Sequence, residues 1–222
     1  IFNAFCFLNL QTLSYGTPPV FLNHELDLPL PSSCREWVAQ TQSEWLTARA
    51  EVPPSMTFRE ILRSHLSAEQ PQGVPPCLSP MASYVLIHAL LQRIHSANSL
   101  ARDWHMTALR PDEVNGLERA LDQWRIIWKA SPETAHSLYG TYGSLAFSST
   151  ALLGVAHSRL HCDLGPWRHL ESGDPKVISA KLKEGPVPRR GPHLAHALLH
   201  AIHALSISIH MGVAYLSRRQ SY

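Results

Sequence analysis

The sequence predicts an all-α protein, and three observations lead to this fold class. Apolar residues recur at spacings of three and four in several long segments, which places them on one side of a helix. Capping residues and prolines stand at the starts of these segments, where helices favour them. No segment shows a sustained alternation of apolar and polar residues, as a half-buried strand would. We therefore predict an irregular bundle of about eight helices.

Two helices are predicted in the first fifty residues. Residues 1–15 are apolar and are followed by Gly16, which predicts a helix closed by a glycine. Ser33 can cap a second helix that runs through the segment REWVAQTQSEWLTAR. Trp37 and Trp45 fall on one face of this helix, and tryptophans at helical spacing predict a face that packs into the core.

Capping signals open three helices in the middle of the chain. Thr57 and Glu60 form a T-x-x-E capping box, Ser79 precedes Pro80, and Pro111 stands at the start of the third helix. The second and third helices carry apolar stripes that predict the main core: Tyr84, Ile87, Leu91 and Ile94 in one, and Val114, Leu117, Leu121, Trp124 and Trp128 in the other.

The segment 147–175 is predicted to lie at the centre of the bundle. Its helix is expected to end near Asp163 and Gly165, where the apolar pattern stops. Asp174 then predicts the cap of a further helix with Pro175 at its first position. One side of the central helix is formed by Leu145, Leu152, Ala156 and Leu160.

A last long helix is predicted to begin at Pro192 or His193. The run that follows, residues 194–216, has the length of a membrane span of about 20 residues. It contains histidines that would each require a polar partner inside a bilayer, so the pattern favours a buried helix and no membrane contact. These histidines are His196, His200, His203 and His210.

Composition and charge exclude several classes of partner. The 222 residues are 45% hydrophobic and 16% charged, and a formal net charge of +2 is too small for an electrostatic nucleic-acid surface. The four cysteines are far apart and form no C-x-x-C pair, so we predict reduced thiols without a disulfide framework.

The 14 histidines raise a metal hypothesis. Spacings of three and four place several of them along one side of the last helix, and a pair at i and i+4 can bind zinc. The helix has no H-E-x-x-H motif and no carboxylate near these histidines, so we predict structural histidines and no metal ligand, with a metal or proton-switch site as the alternative. The residues concerned are His193, His196, His200 and His203, which His88, His95, His157 and His161 from other helices could join.

No catalytic residue is predicted. The sequence contains no G-x-S-x-G nucleophile motif, and its glycines form neither a G-x-x-x-x-G-K-[ST] nor a G-x-G-x-x-G phosphate loop. We therefore predict a protein that is not an enzyme.

Five segments occur in a characteristic order, namely ELDLPLPSSCREW, YVLIHALLQRI, ERALDQWRIIWKASPE, FSSTALLGVAHSRLHCDLGP and LLHAIHALSISIHMGV. Together they resemble the fungal-specific transcription factor domain, or middle homology region, of regulators that carry zinc fingers of the two-cysteine, two-histidine type. The resemblance implies one partial helical regulatory domain over residues 1–222, cut at both ends. It also implies a role in RNA polymerase II transcription in the nucleus.

The resemblance further implies partners that this chain does not bind directly. DNA contact and zinc binding are expected in zinc fingers upstream of Ile1, because no zinc-finger spacing is present here, and no residue of this chain is assigned to DNA, metal or cofactor. Transcription co-regulators or a second copy in a homodimer are the expected partners. From the matched segments, Asp163, Leu164, Gly165 and Pro166 are expected to form a helix-terminating corner, and His203, Ala204, Leu205 and Ser206 a buried part of the last helix.

Two other functions remain as alternatives. A helical module of the same fold could sense a small molecule in its apolar interior, with polar contacts from His88 or His200. A metal enzyme with histidine ligands is the second alternative.

Overall fold

The computed structural model describes residues 1–51, 56–67, 77–104, 106, 108–135, 143–185, 187 and 190–211. Within these ranges the protein is all-α, so the predicted fold class is confirmed. The helices are α1 Phe2–Tyr15, α2 Cys34–Val38, α3 Gln42–Ala50, α4 Phe58–Leu66, α5 Pro80–Asp103, α6 Pro111–Ala130, α7 Pro132–Ala135, α8 Gly143–His161, α9 Pro175–Glu184 and α10 Pro192–Met211.

Several helices begin and end at the predicted signals. The Thr57 hydroxyl accepts a hydrogen bond from the Glu60 backbone N–H at 3.3 Å, and the Glu60 carboxylate accepts one from the Thr57 N–H at 2.8 Å, which completes the capping box of α4. Asp174 caps α9 by accepting from the Lys176 N–H at 2.8 Å. Gly16 closes α1 with a φ of 72°, a left-handed conformation that glycine adopts without steric cost.

The predicted second helix is in fact two short helices, α2 and α3. The Thr41 hydroxyl accepts a hydrogen bond from the Glu44 N–H at 3.2 Å, so it caps a new helix and interrupts the first one. The expected buried tryptophan face is wrong, because Trp37 is 86% exposed and Trp45 is also exposed.

Helix α5 lies at the centre of the core and packs against α1, α4, α6 and α8. Its predicted stripe is confirmed, since Ile87, Leu91 and Ile94 have no exposed area and Tyr84 is half-buried. Trp124 of α6 is 1% exposed and donates its indole N–H to the Ser83 carbonyl oxygen at 2.8 Å. The indole is thereby buried with its one polar group satisfied.

Helix α8 connects this core to the C-terminal helix. Leu152, Ala156 and Leu160 are buried, as predicted, and α8 packs against both α5 and α10. In the described part of the chain, α8 is the main neighbour of α10. Among the helices that the structure describes, none is both long and apolar enough to span a membrane.

Candidate functional site

A polar corner follows the end of α8. One oxygen of the Asp163 carboxylate accepts a hydrogen bond from the Gly165 N–H at 3.1 Å, and the other oxygen accepts one from Arg102 of α5. The Arg159 guanidinium lies 3.9 Å from the same carboxylate. Asp163 therefore receives contacts from α5, from α8 and from the turn that follows. The structure places Leu164, Gly165 and Pro166 in that turn, with a 3₁₀ helix over Gly165–Trp167.

The corner is also joined to α1 through two arginines. Arg159 and Arg168 both donate hydrogen bonds to the backbone carbonyl oxygen of Leu13. Leu13 lies in the last turn of α1, where carbonyl oxygens have no hydrogen-bond partner within the helix. Burial lowers the pKa of Arg159 to about 10, the positive charges of Arg168 and Arg102 add to this effect, and Asp163 opposes it. Arg159 thus stays protonated at neutral pH and can hold both the carboxylate and the end of α1.

Gly165 lies close to two charged side chains of the corner. A Cβ atom at this position would lie 2.9 Å from an Asp163 carboxylate oxygen and 3.2 Å from an Arg159 guanidinium nitrogen. Both distances are shorter than an ordinary van der Waals contact, so a side chain here would require the Asp163 carboxylate and the Arg159 guanidinium to shift.

A cluster of histidines lies between α8 and α10. The rings of His157 and His200 stack with their centroids 4.2 Å apart and an angle of 3° between their planes. His161 and His196 meet edge to face at 6.0 Å. The sequence analysis named His157 and His161 among the residues that could join the histidines of the last helix, and the structure brings them to His196 and His200.

The two stacked rings are held in the neutral form. Burial lowers the pKa of His157 to about 4, and the nearby His200 lowers it further. Burial also lowers the pKa of His200, together with the neighbouring His196 and His203. Two neutral rings stack without the repulsion that two imidazolium ions would have, so the contact between α8 and α10 is compatible with neutral pH.

The cluster includes a carboxylate that the sequence analysis missed. Glu118 of α6 lies 3.0 Å from Nε2 of His161. The sequence search considered carboxylates only within the last helix, whereas Glu118 is brought to the cluster by the packing of α6 against α8. Glu118, His161 and His196 each offer one ligand atom, and these three atoms all lie within 4.8 Å of one another.

The other histidines that the sequence analysis named are not shown to belong to this cluster. His88 is fully buried in α5 and packs edge-on against Tyr84, with ring centroids 4.6 Å apart. His95 is also a buried residue of α5. The side chains of His193 and His210 lie outside the described residues.

The predicted burial of the segment from His203 to Ser206 is wrong for two of its residues. Leu205 is 61% exposed and His203 is exposed, while Ala204 and Ser206 are half-buried. Helix α10 packs against α8, and among the described side chains of α10 Ala197 is buried there. Its exposed apolar side chains are Leu198, Leu199, Ile202, Leu205 and Ile209.

This exposure changes the expected effect of Leu205→Asp. From the sequence, the charge would be buried and the domain would unfold. From the structure, we expect a folded protein whose free energy of unfolding falls by only about 0.5 to 1 kcal/mol, through the lower helix propensity of aspartate. Urea denaturation followed by circular dichroism measures this change. Ala197→Asp is the matched variant on the same helix, and it should be far more destabilising because Ala197 is buried.

The buried His88 predicts a pH-dependent stability. Burial lowers the pKa of His88 to about 3, so the unfolded chain binds one more proton than the folded protein between about pH 6.5 and pH 3. The contribution of His88 to stability is therefore complete above about pH 6.5 and is lost as the pH falls. From pH 7 to pH 5 this loss amounts to about 2 kcal/mol.

The variant His88→Leu removes this titration. Its free energy of unfolding should fall by about 2 kcal/mol less than that of the native protein between pH 7 and pH 5. Leu91→Met is a second core substitution in α5 that removes no titratable group, so it should keep the native pH dependence. Equal pH slopes for the native protein and His88→Leu would show that His88 is protonated equally in both states.

Comparison with known proteins found a family model that matches part of the chain. A family model described as the fungal transcription factor C-terminal domain matches residues 163–222. The matched part begins at Asp163, in the polar corner, and contains α9 and α10. The match supports a fungal transcription factor domain in this part of the chain and suggests a role in transcription regulation. Comparisons with curated proteins and with solved structures found no match.

Proposed function

We propose that this chain is a regulatory helical domain, without DNA contacts of its own, of a fungal transcription factor. In this proposal, zinc fingers of the two-cysteine, two-histidine type elsewhere in the full-length protein bind DNA and hold zinc. The helical domain modulates transcription by RNA polymerase II in the nucleus. The observation that carries the proposal is the family match over residues 163–222.

The exposed side of α10 supports action through another protein. Leu199 and Ile202 are exposed apolar residues within the family-matched part of the chain. An apolar patch on a protein surface is characteristic of a site that binds another protein. We propose that the occupant is a transcription co-regulator, because a regulatory domain without DNA contacts influences transcription through the proteins that it binds.

A reporter experiment tests this function. The full 222-residue chain is fused to a heterologous DNA-binding domain and directed to a reporter gene with matching sites. We expect reporter output to differ severalfold from that of the DNA-binding domain alone. Ile202→Asp should abolish most of this difference, because it places a charge in the exposed apolar side of α10.

Leu100→Asp provides the matched control, since Leu100 is an exposed leucine at the end of α5. It should leave the reporter output unchanged. A fusion that behaves as the DNA-binding domain alone would contradict the proposed function. If light scattering shows a dimer that Ile202→Asp converts to a monomer, the occupant of α10 is a second copy and not a co-regulator.

A further inference from the structure

We propose that Glu118, His161 and His196 form a binding site for a divalent metal ion, and that this ion is Zn²⁺. The three residues come from α6, α8 and α10, so an ion bound by them would join three helices. Their ligand atoms all lie within 4.8 Å of one another. The inference stands apart from the proposed function and holds whether or not the chain regulates transcription.

The distances are close to those that zinc requires. Zinc binds imidazole nitrogen and carboxylate oxygen at about 2.0 to 2.2 Å, so two ligand atoms in a tetrahedral site are about 3.4 Å apart. The Glu118 oxygen and Nε2 of His161 are 3.0 Å apart, within a few tenths of an ångström of this value. The separation of the His196 ligand atom from each of the other two has to shrink by about 1.5 Å at most, and His196 is exposed enough to approach them by side-chain rotation.

The chemistry of the three ligands selects the kind of ion. Two imidazoles and one carboxylate are the protein ligands of one common class of zinc site, in which water occupies the fourth position. Calcium and magnesium prefer oxygen ligands alone, so the two imidazoles disfavour them. The side chain of His161 is 1% exposed and that of Glu118 is 30% exposed, so these two ligands are partly removed from competing water.

The 3.0 Å contact between the Glu118 carboxylate and Nε2 of His161 accounts for two of the three residues without a metal. It does not account for His196, which the helix α10 brings to the same place from another part of the chain. A zinc ion satisfies all three groups together, and it would add a link from α6 to a helix that otherwise has α8 as its main neighbour. The bound ion would therefore fix α10 against the rest of the bundle.

Isothermal titration calorimetry of the full chain with zinc chloride, after removal of metal by a chelator, tests the site. We expect one equivalent of zinc per chain. Glu118→Gln and His196→Ala should each weaken binding at least about tenfold. Both replaced residues are partly exposed, so these variants keep their fold, which circular dichroism checks. His203→Ala is the matched control, because His203 is an exposed histidine of the same helix.

Hydrogen exchange provides a second readout. Zinc should slow the exchange of the α10 backbone amides in the native protein and in His203→Ala, but not in His196→Ala. The inference is overturned if zinc is not taken up, or if it binds Glu118→Gln and His196→Ala as tightly as the native protein. The latter result would assign the bound zinc to groups outside this site. The reporter experiment tests the proposed function separately, so either result of the zinc titration leaves its outcome unchanged.

Discussion

Replacing Asp163 by asparagine is expected to lower the free energy of unfolding by about 2 to 3 kcal/mol. The carboxylate accepts from Arg102 and lies near Arg159, and both oxygens are used. Asparagine keeps the shape and one acceptor but removes the negative charge. Arg159 is buried, so its charge would then lose a compensating partner at a site that is largely shielded from water. Urea denaturation of the two proteins measures the difference.

Asp122→Asn is the matched control for this prediction. Asp122 forms an ion pair with Arg125 at 2.8 Å, but both side chains are more than half exposed. An exposed pair of this kind contributes little, so we expect a change below about 0.5 kcal/mol. If the two substitutions have the same small effect, the hydrogen bonds of Arg159 and Arg168 to Leu13 hold the corner without the carboxylate.

Replacing Trp124 by alanine is expected to cost about 3 to 5 kcal/mol. The indole is 1% exposed and stacks on Trp128, with ring centroids 5.3 Å apart. Its removal leaves a cavity between α5 and α6 and takes away the donor to the Ser83 carbonyl oxygen. That oxygen is also the acceptor of a helical hydrogen bond near the N-terminal end of α5, so the loss of packing is the larger effect. Thermal and urea unfolding both measure it.

Trp37→Ala is the corresponding change at an exposed tryptophan. Trp37 is 86% exposed, so its replacement should change the free energy of unfolding by less than about 1 kcal/mol. The sequence pattern predicts a core position for both tryptophans. Comparing the two variants therefore distinguishes a tryptophan that is buried in the core from one that is exposed. A large loss of stability for Trp37→Ala would show that α2 is covered in solution by another part of the protein.

Local signals predicted most of the helices of this fold. The caps at Thr57, Ser79 and Asp174 act through hydrogen bonds to residues two or three positions away, so the sequence contains all of their geometry. Thr41 is the same kind of signal at the break between α2 and α3. The apolar spacing continues on both sides of Thr41, however, and therefore predicted one uninterrupted helix. Periodicity also shows only which residues share a face of a helix, and it does not show whether another element covers that face. The predicted burial of Trp37 is wrong for this reason.

The candidate site was predictable only in part. Helical spacing placed His196 and His200 on one side of α10, and these residues do meet α8. Glu118 could not be assigned, because its position beside His161 depends on how α6 packs against α8. The same limit applies to Arg159, whose acceptor is the backbone oxygen of Leu13 and therefore leaves no trace in the identity of a side chain.

The two arginines that bind the Leu13 carbonyl oxygen have a consequence for biosynthesis. They follow Leu13 by 146 and 155 positions in the chain. At a synthesis rate of about 5 to 20 residues per second, the first helix waits about 7 to 30 s for these partners after it leaves the ribosome. During this interval the Leu13 carbonyl oxygen lacks these two donors, so the C-terminal end of the first helix is left to water.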